Sequence, residues 1–214
     1  MNIELLSHTE NGDLLVVNAA RCSFDKEHSE FNEKKDTKLI NYLARERHVL
    51  PFRHPVATLR ITCPIFVLRQ LGKHQVGFSW SEVSRRYITG KPEFWVPDVV
   101  RKYAEDKKQG SGEDFEPEIS ESLKYRIQLD NEAAYDTYEY LIELGVAPEQ
   151  ARAVLPQSMY TTCVVTGTLL GWHHLWKLRT EEHTQKETQE YAQKIGKIMG
   201  TLFPKSWEAL CQHS

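Results

Sequence analysis

The apolar positions of the first 75 residues fall into short runs separated by charged turns. Residues 13–20, DLLVVNAA, are a continuous apolar run, which predicts a strand buried in a sheet. Residues 37–48 place aliphatic side chains on one helical face, with Thr37 as the predicted N-cap. Residues 56–63, VATLRITC, alternate as a strand does, and Pro64 fits the first turn of a following helix.

The pattern of the second half favours helices. Residues 104–118 are polar and contain glycine, which predicts a surface loop. Apolar side chains then recur at helical spacing through residues 119–144, and Gly145 is the predicted C-terminal cap. Together with the preceding strands, this predicts an α/β or α+β fold.

Two prolines divide the chain after Gly145. Pro148 is predicted to start a helix, and Pro156 to interrupt it. Residues 161–179 and 181–199 follow, and both are predicted to be helical, the second strongly amphipathic. With no internal repeat, we expect one domain over residues 1–214.

Composition narrows the class of protein. The chain has 214 residues, of which 40% are hydrophobic and 27% charged, as one domain with a sizeable core requires. Its formal net charge of -3 does not imply bulk attraction to nucleic acid or membrane. No apolar stretch approaches the roughly 20 residues of a membrane span, the N-terminus is too polar for a signal peptide, and the four cysteines are scattered. We therefore expect a cytoplasmic protein with no membrane partner.

Metal and serine-hydrolase chemistry both have weak signals. The histidines form no HExxH or Cys-x-x-Cys set, so we expect no metal site. Three serines lie near His74, but no G-x-S-x-G elbow is present.

A local basic cluster is the strongest chemical signal. From Arg53 to Lys91 there are seven Lys or Arg residues, and Glu82 is the one acidic residue. Arg85 and Arg86 directly follow Ser84, and guanidinium forks and hydroxyls suit a phosphate. Aromatic residues interleave with this cluster, as in a groove for single-stranded nucleic acid. Because the charge is confined to about forty residues of a net-acidic chain, we favour a mononucleotide and expect no nucleic acid.

With these residues assembled, the chain resembles the flavin-dependent thymidylate synthases. The family motif is Arg-His-Arg, seven residues and then Ser, with Glu two residues before that Ser and Arg two after it. Here Lys73-His74-Gln75 replaces Arg-His-Arg, the spacer is one residue longer, and Glu82-x-Ser84-x-Arg86 matches. Other similar blocks, in the family's order, are residues 19–24, 47–54, 64–70, 151–162 and 178–192.

The resemblance implies a ThyX-like fold with a small mixed or antiparallel sheet and several helices. It implies methylation of dUMP to dTMP with methylenetetrahydrofolate, FAD and NADPH, in a homotetramer with shared active sites. The implied dUMP contacts are Gln70, Lys73, Glu82, Val83, Ser84, Arg85, Arg86, Arg152 and Arg179. The implied FAD contacts are Ser23, His48, Leu50, Lys73, His74, Gln75, Val76, Glu82, Thr168, Leu170 and His174.

Two residues carry the implied catalysis. Arg179 would favour ionisation of the uracil ring at N3, and Ser84 would bind or orient the nucleotide rather than act as a nucleophile. At 168–170 the family has Asn-x-Arg where this chain has Thr-Leu-Leu. Two alternatives stay open: another flavin-dependent pyrimidine nucleotide modification, and a nucleotide-binding module without catalysis.

Overall fold

A four-stranded antiparallel sheet organises the computed structural model, which describes residues 2–88, 90–104 and 110–213. The strand order is β1-β2-β4-β3. The strands are β1 (Asn2–His8), β2 (Val56–Pro64), β3 (Phe78–Glu82) and β4 (Tyr160–Thr168). The helices are α1 (Gly12–Arg21), α2 (Glu33–Arg45), α3 (Ile65–Leu71), α4 (Pro117–Glu143), α5 (Pro148–Ala151), α6 (Leu169–Arg179), α7 (Lys186–Leu202) and α8 (Pro204–Gln212).

The central strands, β2 and β4, have one partly exposed face and one buried face. In β2 and β4 the residues alternate in burial, because successive side chains point to opposite sides of a sheet. On the half-buried face, the hydroxyls of Thr62 and Thr162 lie 2.9 Å apart across the strands. On the other face Leu59, Ile61 and Val165 are fully buried against the helices.

Trp172 of α6 anchors the core against the sheet. It is fully buried, and its Nε1 atom donates a hydrogen bond to the Ala57 carbonyl at 3.1 Å. Burial of each such large apolar side chain contributes about 2–3 kcal/mol to folding. The core therefore fixes the end of β4 and the start of α6.

The predicted strand at residues 13–20 is wrong, because this run lies inside α1. Val16 and Val17 face the core, and the Asp13 carboxylate accepts hydrogen bonds from the first backbone N–H groups of α8. A short apolar run does not distinguish a buried strand from a buried helix by periodicity alone.

Thr37 is not an N-cap. Helix α2 begins at Glu33, and the side chain of Asn32 caps it by accepting a hydrogen bond from Lys35 N at 2.8 Å. Thr37 lies within the helix, so the prediction missed its first turn. That turn is fixed by a distant partner, because the fully buried Asp36 pairs with Arg21 at 2.5 Å.

The helical prediction for residues 161–179 is correct only in its second part. Residues 161–168 belong to β4, and α6 begins at Leu169, with the Thr168 hydroxyl accepting a hydrogen bond from Gly171 N. The β-branched residues of this stretch favour a strand. Pro64 likewise ends β2 and caps α3 rather than lying in its first turn.

Several other predictions are confirmed. Strand β2 and the start of α5 at Pro148 lie where the pattern indicates. The amphipathic helix predicted over 181–199 is α7, which begins later, at Lys186. Pro156 does not interrupt α5, because that helix already ends at Ala151. Helix α4 ends just before Gly145, whose φ of +83° suits a glycine at a helix C-terminus. Residues 105–109 of the predicted loop lie outside the described residues, and the helix after it begins at Pro117. Across the described ranges, no helix is long and apolar enough to span a membrane.

Candidate active site

Two neighbouring cavities meet at the end of α3. The first cavity is about 1360 Å³ and lies beside the C-terminal end of β3 and the start of β4. The second cavity is about 850 Å³ and lies between the end of α3 and the segment from Arg179 to Gln189. Arg69 and Lys73 line both cavities, so these two cations lie between them.

The first cavity collects much of the predicted nucleotide site. Its lining includes six residues that the sequence singles out: Lys73, Gln75, Glu82, Val83, Arg85 and Arg152. Ser84 and Arg86 lie beside this group but outside the described lining of either cavity. The Ser84 hydroxyl accepts a hydrogen bond from Arg86 N at 3.3 Å, and the Arg86 guanidinium lies over the Tyr87 ring.

Four cations of this region form no ion pair with a carboxylate of the described residues. Across the described residues, none of Lys73, Arg85, Arg152 and Arg179 lies within 4.0 Å of an acidic oxygen. Arg85 donates instead to the backbone carbonyls of Ile88 and Gly90, which hold it in place without cancelling its charge. Uncompensated guanidinium groups at a cavity favour an anionic ligand over a structural ion pair.

Glu82 is held by a residue that the sequence analysis did not select. The buried Thr161 hydroxyl donates to Glu82 Oε1 at 2.9 Å. Glu82 pairs with Cys163 across the strands, so Thr161 lies on the diagonal position of the same face. This contact leaves Glu82 Oε2 available to a ligand. A hydroxyl at a buried position of an alternating strand was the signal that could have identified Thr161.

Arg179 lines the second cavity and is held from two sides. Its Nε atom donates to His74 Nε2 at 3.2 Å, and its Nη2 atom donates to the Gln70 carbonyl at 3.0 Å. Burial, followed by the charge of Arg179, lowers the pKa of His74 to about 4. The imidazole is therefore neutral at pH 7 and serves as an acceptor. Gln70 and Arg179 thus share the second cavity.

A tight turn places His74 and Gln75. Gly77 has a φ of +80°, and a Cβ there would lie 2.6 Å from Thr168 Oγ1. Thr168 N donates to the Gly77 carbonyl at 2.9 Å, and Trp80 Nε1 donates to the His74 carbonyl at 3.1 Å. These contacts fix the turn against the end of β4. Only glycine permits the backbone to approach Thr168 this closely.

The predicted flavin residues lie in several separate segments of the chain. Leu50 belongs to a 3-10 turn, Leu50–Arg53, that packs against α6, and His174 lies on that helix. Thr168 contacts the turn at Gly77, and Val76 on that turn is 73% exposed. Ser23 and His48 are exposed on other turns. Leu170 is buried in the core cluster.

Three of the four cysteines are poorly suited to nucleophilic catalysis. Burial raises the pKa of Cys63 to about 12 and that of Cys163 to about 11. Burial also raises the pKa of Cys211 to about 11. Thiolates are therefore scarce at neutral pH at these three positions. Among the residues that the structure describes, no three His, Cys, Asp or Glu side chains form a group that could hold a metal ion.

Comparison with known proteins decides the family. The family model described as "Thymidylate synthase complementing protein" matches residues 4–205. The flavin-dependent thymidylate synthase of Thermosipho melanesiensis is 39% identical over 197 residues, covering 92% of this chain and 85% of that protein. The chain belongs to the flavin-dependent thymidylate synthase family. A synthase of Thermus thermophilus is 37% identical over 201 residues, covering 94% of this chain and 72% of that protein.

A solved structure agrees with this family. The UMP/dUMP methylase PolB from Streptomyces cacaoi, bound with 5-Br dUMP, has a TM-score of 0.88 and 29% sequence identity. The similarity covers 99% of this chain and 94% of PolB. The resemblance to flavin-dependent thymidylate synthases and the mixed α/β fold are thereby confirmed.

Proposed function

We propose that this protein methylates dUMP to dTMP, with methylenetetrahydrofolate as the one-carbon donor and FAD reduced by NADPH. The observation that carries the proposal is Arg179, a half-buried guanidinium without a carboxylate partner among the described residues. It lines the second cavity beside Gln70, Lys73 and Arg69. A positive group fixed in a cavity stabilises negative charge that develops on a bound ring.

Arg179 activates the pyrimidine in this proposal. Uracil C5 is a poor nucleophile, so the enzyme must raise its electron density before a carbon–carbon bond forms. A guanidinium beside N3 and O2 stabilises the ring anion without a covalent adduct at C6. The raised pKa values of Cys63, Cys163 and Cys211 support a route without a thiolate.

Arg85 and Arg152 bind the phosphate of the nucleotide. Both line the first cavity, and both keep their charge available. Ser84 and Arg86 add donors beside Arg85, and Val83 and Glu82 complete this wall. Ser84 binds and orients the ligand rather than attacking it, because its hydroxyl accepts from Arg86 N and is hydrogen-bonded to no base within the described part of the chain.

The residues at the turn around Gly77 fit a flavin dinucleotide. Leu50, Val76 and Thr168 offer apolar and hydroxyl surface, and His174, Lys73 and Gln75 offer polar groups for its phosphates and ring. When bound, the reduced flavin supplies the reducing equivalent. His74 holds Arg179 beside this surface, and Glu82 serves both ligands. Ser23 and His48 extend the surface on neighbouring turns.

The active sites are shared between the subunits of a homotetramer in this proposal. Ser84 and Arg86 lie outside the described lining of the cavity that contains Arg179, so one copy does not enclose the nucleotide by itself. Large apolar side chains are also exposed, such as Leu50 at 64%, Tyr87 at 78% and, on α4, Tyr125 at 63%. Neighbouring subunits cover such side chains in this proposal. Light scattering of the purified protein measures the assembly, and a fully active monomer would contradict it.

UMP is a second candidate substrate. PolB is named as a methylase of both UMP and dUMP, and its fold covers 99% of this chain. Assays with UMP, dUMP and dCMP side by side distinguish these nucleotides. We also propose a cytoplasmic location, which suits cysteines that form no disulfide among the described residues.

The decisive experiment is incubation with dUMP, methylenetetrahydrofolate, FAD and NADPH, with dTMP followed by mass spectrometry. Formation of dTMP that requires all four components supports the proposal. Tight dUMP binding without dTMP formation and without flavin absorbance would favour a nucleotide-binding module. Retention on heparin at physiological salt would instead favour nucleic acid.

A further inference from the structure

A chain of side-chain hydrogen bonds runs along the second cavity. Arg101 donates to Glu187 Oε1 at 2.5 Å, and Gln185 Nε2 donates to Glu187 Oε2 at 2.9 Å. Gln70 Nε2 then donates to Gln185 Oε1 at 2.5 Å. Gln70, Arg101 and Gln185 line the cavity, so the chain joins its walls.

Glu187 is the fixed end of this chain. Its side chain is 13% exposed and that of Arg101 is 21% exposed, so the ion pair is shielded from water. Burial alone would raise the pKa of Glu187, but the hydrogen bonds from Arg101 and Gln185 and the charge of Arg101 lower it. The group is therefore an ionised carboxylate, which accepts hydrogen bonds and donates none.

The carboxylate dictates the direction of both amides. Gln185 must turn its NH2 group to Glu187, and its carbonyl oxygen then faces Gln70. Gln70 must in turn direct its own NH2 group to Gln185. Its Oε1 atom is left over, and within the described residues no protein group donates to it. The side chain of a glutamine can offer either a donor or an acceptor to a ligand. At Gln70 the charge of Glu187, acting through Gln185, leaves the acceptor for the ligand.

We propose that Glu187 is a positioning residue that sets the ligand specificity of Gln70 through Gln185. Glu187 thereby makes Gln70 present its Oε1 atom as an acceptor beside the donors of Arg179. The cavity then selects a nucleotide that has a hydrogen-bond donor at that point. The inference rests on the proposed function, in which Arg179 of this cavity activates the base of the nucleotide. The donor in this proposal is an O–H of the sugar, because N3 carries the one N–H of the base and Arg179 favours its ionisation, and the experiment tests both positions.

The test compares dUMP binding and turnover in four variants. Gln185→Met breaks the relay and keeps the Arg101–Glu187 ion pair, whereas Glu187→Gln removes the charge that directs it. We expect the Kd for dUMP to rise about tenfold in both, with kcat at saturating dUMP within about twofold of wild type, since about 1.4 kcal/mol corresponds to tenfold. Glu190→Gln is the matched control, because Glu190 is exposed on the same helix. Gln70→Met is the fourth variant.

A double-mutant cycle distinguishes the relay from a general structural effect. If Gln185 acts through Gln70, then Gln185→Met causes no further loss of dUMP binding once Gln70→Met is present. Two analogues identify the ligand donor: dUMP methylated at N3, and dUMP without its 3′-hydroxyl. The analogue that lacks the relevant donor binds wild type about tenfold more weakly, and its binding is insensitive to Gln185→Met.

The outcomes separate this inference from the function on which it rests. Additive effects in the cycle, or dUMP binding by Gln185→Met as tight as in wild type, would overturn the relay and leave the proposed function intact. If Gln185→Met weakens the binding of both analogues as much as it weakens the binding of dUMP, the relay is also overturned. A wild-type protein that binds no pyrimidine nucleotide would overturn the proposed function itself. Thermal unfolding of each variant identifies losses that come from misfolding.

Discussion

Arg179 Nε donates to His74 Nε2 at 3.2 Å, so a neutral imidazole holds the guanidinium that lines the second cavity. The two residues are 105 positions apart and form one unit. Burial and the charge of Arg179 lower the pKa of His74 to about 4, which keeps the ring able to accept. Protonation of His74 would remove that acceptor and place two positive charges side by side.

Replacement of Arg179 tests the activation of the pyrimidine. Arg179→Ala should abolish dTMP formation and leave the fold intact. Among the described cations, only Arg179 is held in this cavity by hydrogen bonds to His74 and to the Gln70 carbonyl. Mass spectrometry of the product and circular dichroism measure the two effects. Lys177→Ala, an exposed cation on the same helix, is the control and should retain activity. Full activity of Arg179→Ala would exclude its role in uracil activation.

His74 variants test how Arg179 is positioned. His74→Phe removes the acceptor, whereas His74→Gln keeps a carbonyl oxygen that can accept from Arg179. A hydrogen bond to a charged group is worth about 1.5–3 kcal/mol, so kcat/KM should fall roughly 10- to 100-fold in His74→Phe. Recovery of most of that loss in His74→Gln would show that the acceptor matters. Equal losses in both variants would contradict this role.

Ser84→Ala should weaken dUMP binding more than it slows a saturated turnover. Its hydroxyl accepts from Arg86 N and lies beside Arg85, so its loss removes a ligand-binding group and not a nucleophile. We expect KM for dUMP to rise about tenfold, for roughly 1.4 kcal/mol of lost binding. Steady-state kinetics separate KM from kcat. Complete loss of turnover at saturating dUMP would indicate covalent catalysis instead.

His173 should make the fold sensitive to acid. It is 2% exposed, packs against Trp176 and Trp207, and neither ring nitrogen has a protein partner within the described residues. Burial, then the positive charges of His174 and Lys177, lower its pKa to about 4, against about 6.5 in the unfolded chain. Between these values the unfolded chain binds more protons, so the free energy of unfolding falls as the pH falls from about 6.5 to 4.

The expected size of this effect is about 3 kcal/mol, since one pKa unit corresponds to about 1.4 kcal/mol. Urea unfolding at pH 7 and pH 4.5 measures it. His173→Leu should lose less stability between these two pH values than wild type does. An unchanged pH dependence in that variant would assign the acid sensitivity to other groups, such as His74.

Gly77→Ala tests the turn that carries His74 and Gln75. A Cβ at this positive φ would meet Thr168 Oγ1 at 2.6 Å, so we expect a loss of about 1–3 kcal/mol in stability. The chain offers a matched control, because a Cβ at Gly90 meets no atom of the described residues within 4 Å. Thermal unfolding compares the two variants. Equal stability of Gly77→Ala and wild type would show that the turn adapts.

The sequence predicted the local parts of this molecule well. Residues close together in the chain, such as Glu82, Ser84 and Arg85, are visible as a motif, and Gly145 and Pro148 mark the end of α4 and the start of α5. Thr161 and Glu187 escaped prediction. Thr161 contacts Glu82, 79 positions away, and Glu187 is held by Arg101, 86 positions away, and no local pattern encodes such contacts.

The same limit explains the error at α1. Whether DLLVVNAA forms a strand or a helix depends on α8, whose N-terminus binds Asp13 from almost 200 positions away. Periodicity over eight residues does not contain that information. The fold class was nevertheless predictable, because the amphipathic α7 and the alternating β2 each span enough residues to define their own period.

Arg69 and Lys73 line both cavities, and this shared wall has a thermodynamic consequence. An anion bound on one side draws on the same positive charges that attract an anion on the other. If a ligand in the first cavity changes the affinity of the second cavity by some factor, then a ligand in the second cavity changes the affinity of the first by the same factor. Titration of either ligand in the presence of the other would therefore yield one coupling constant, whichever is added first.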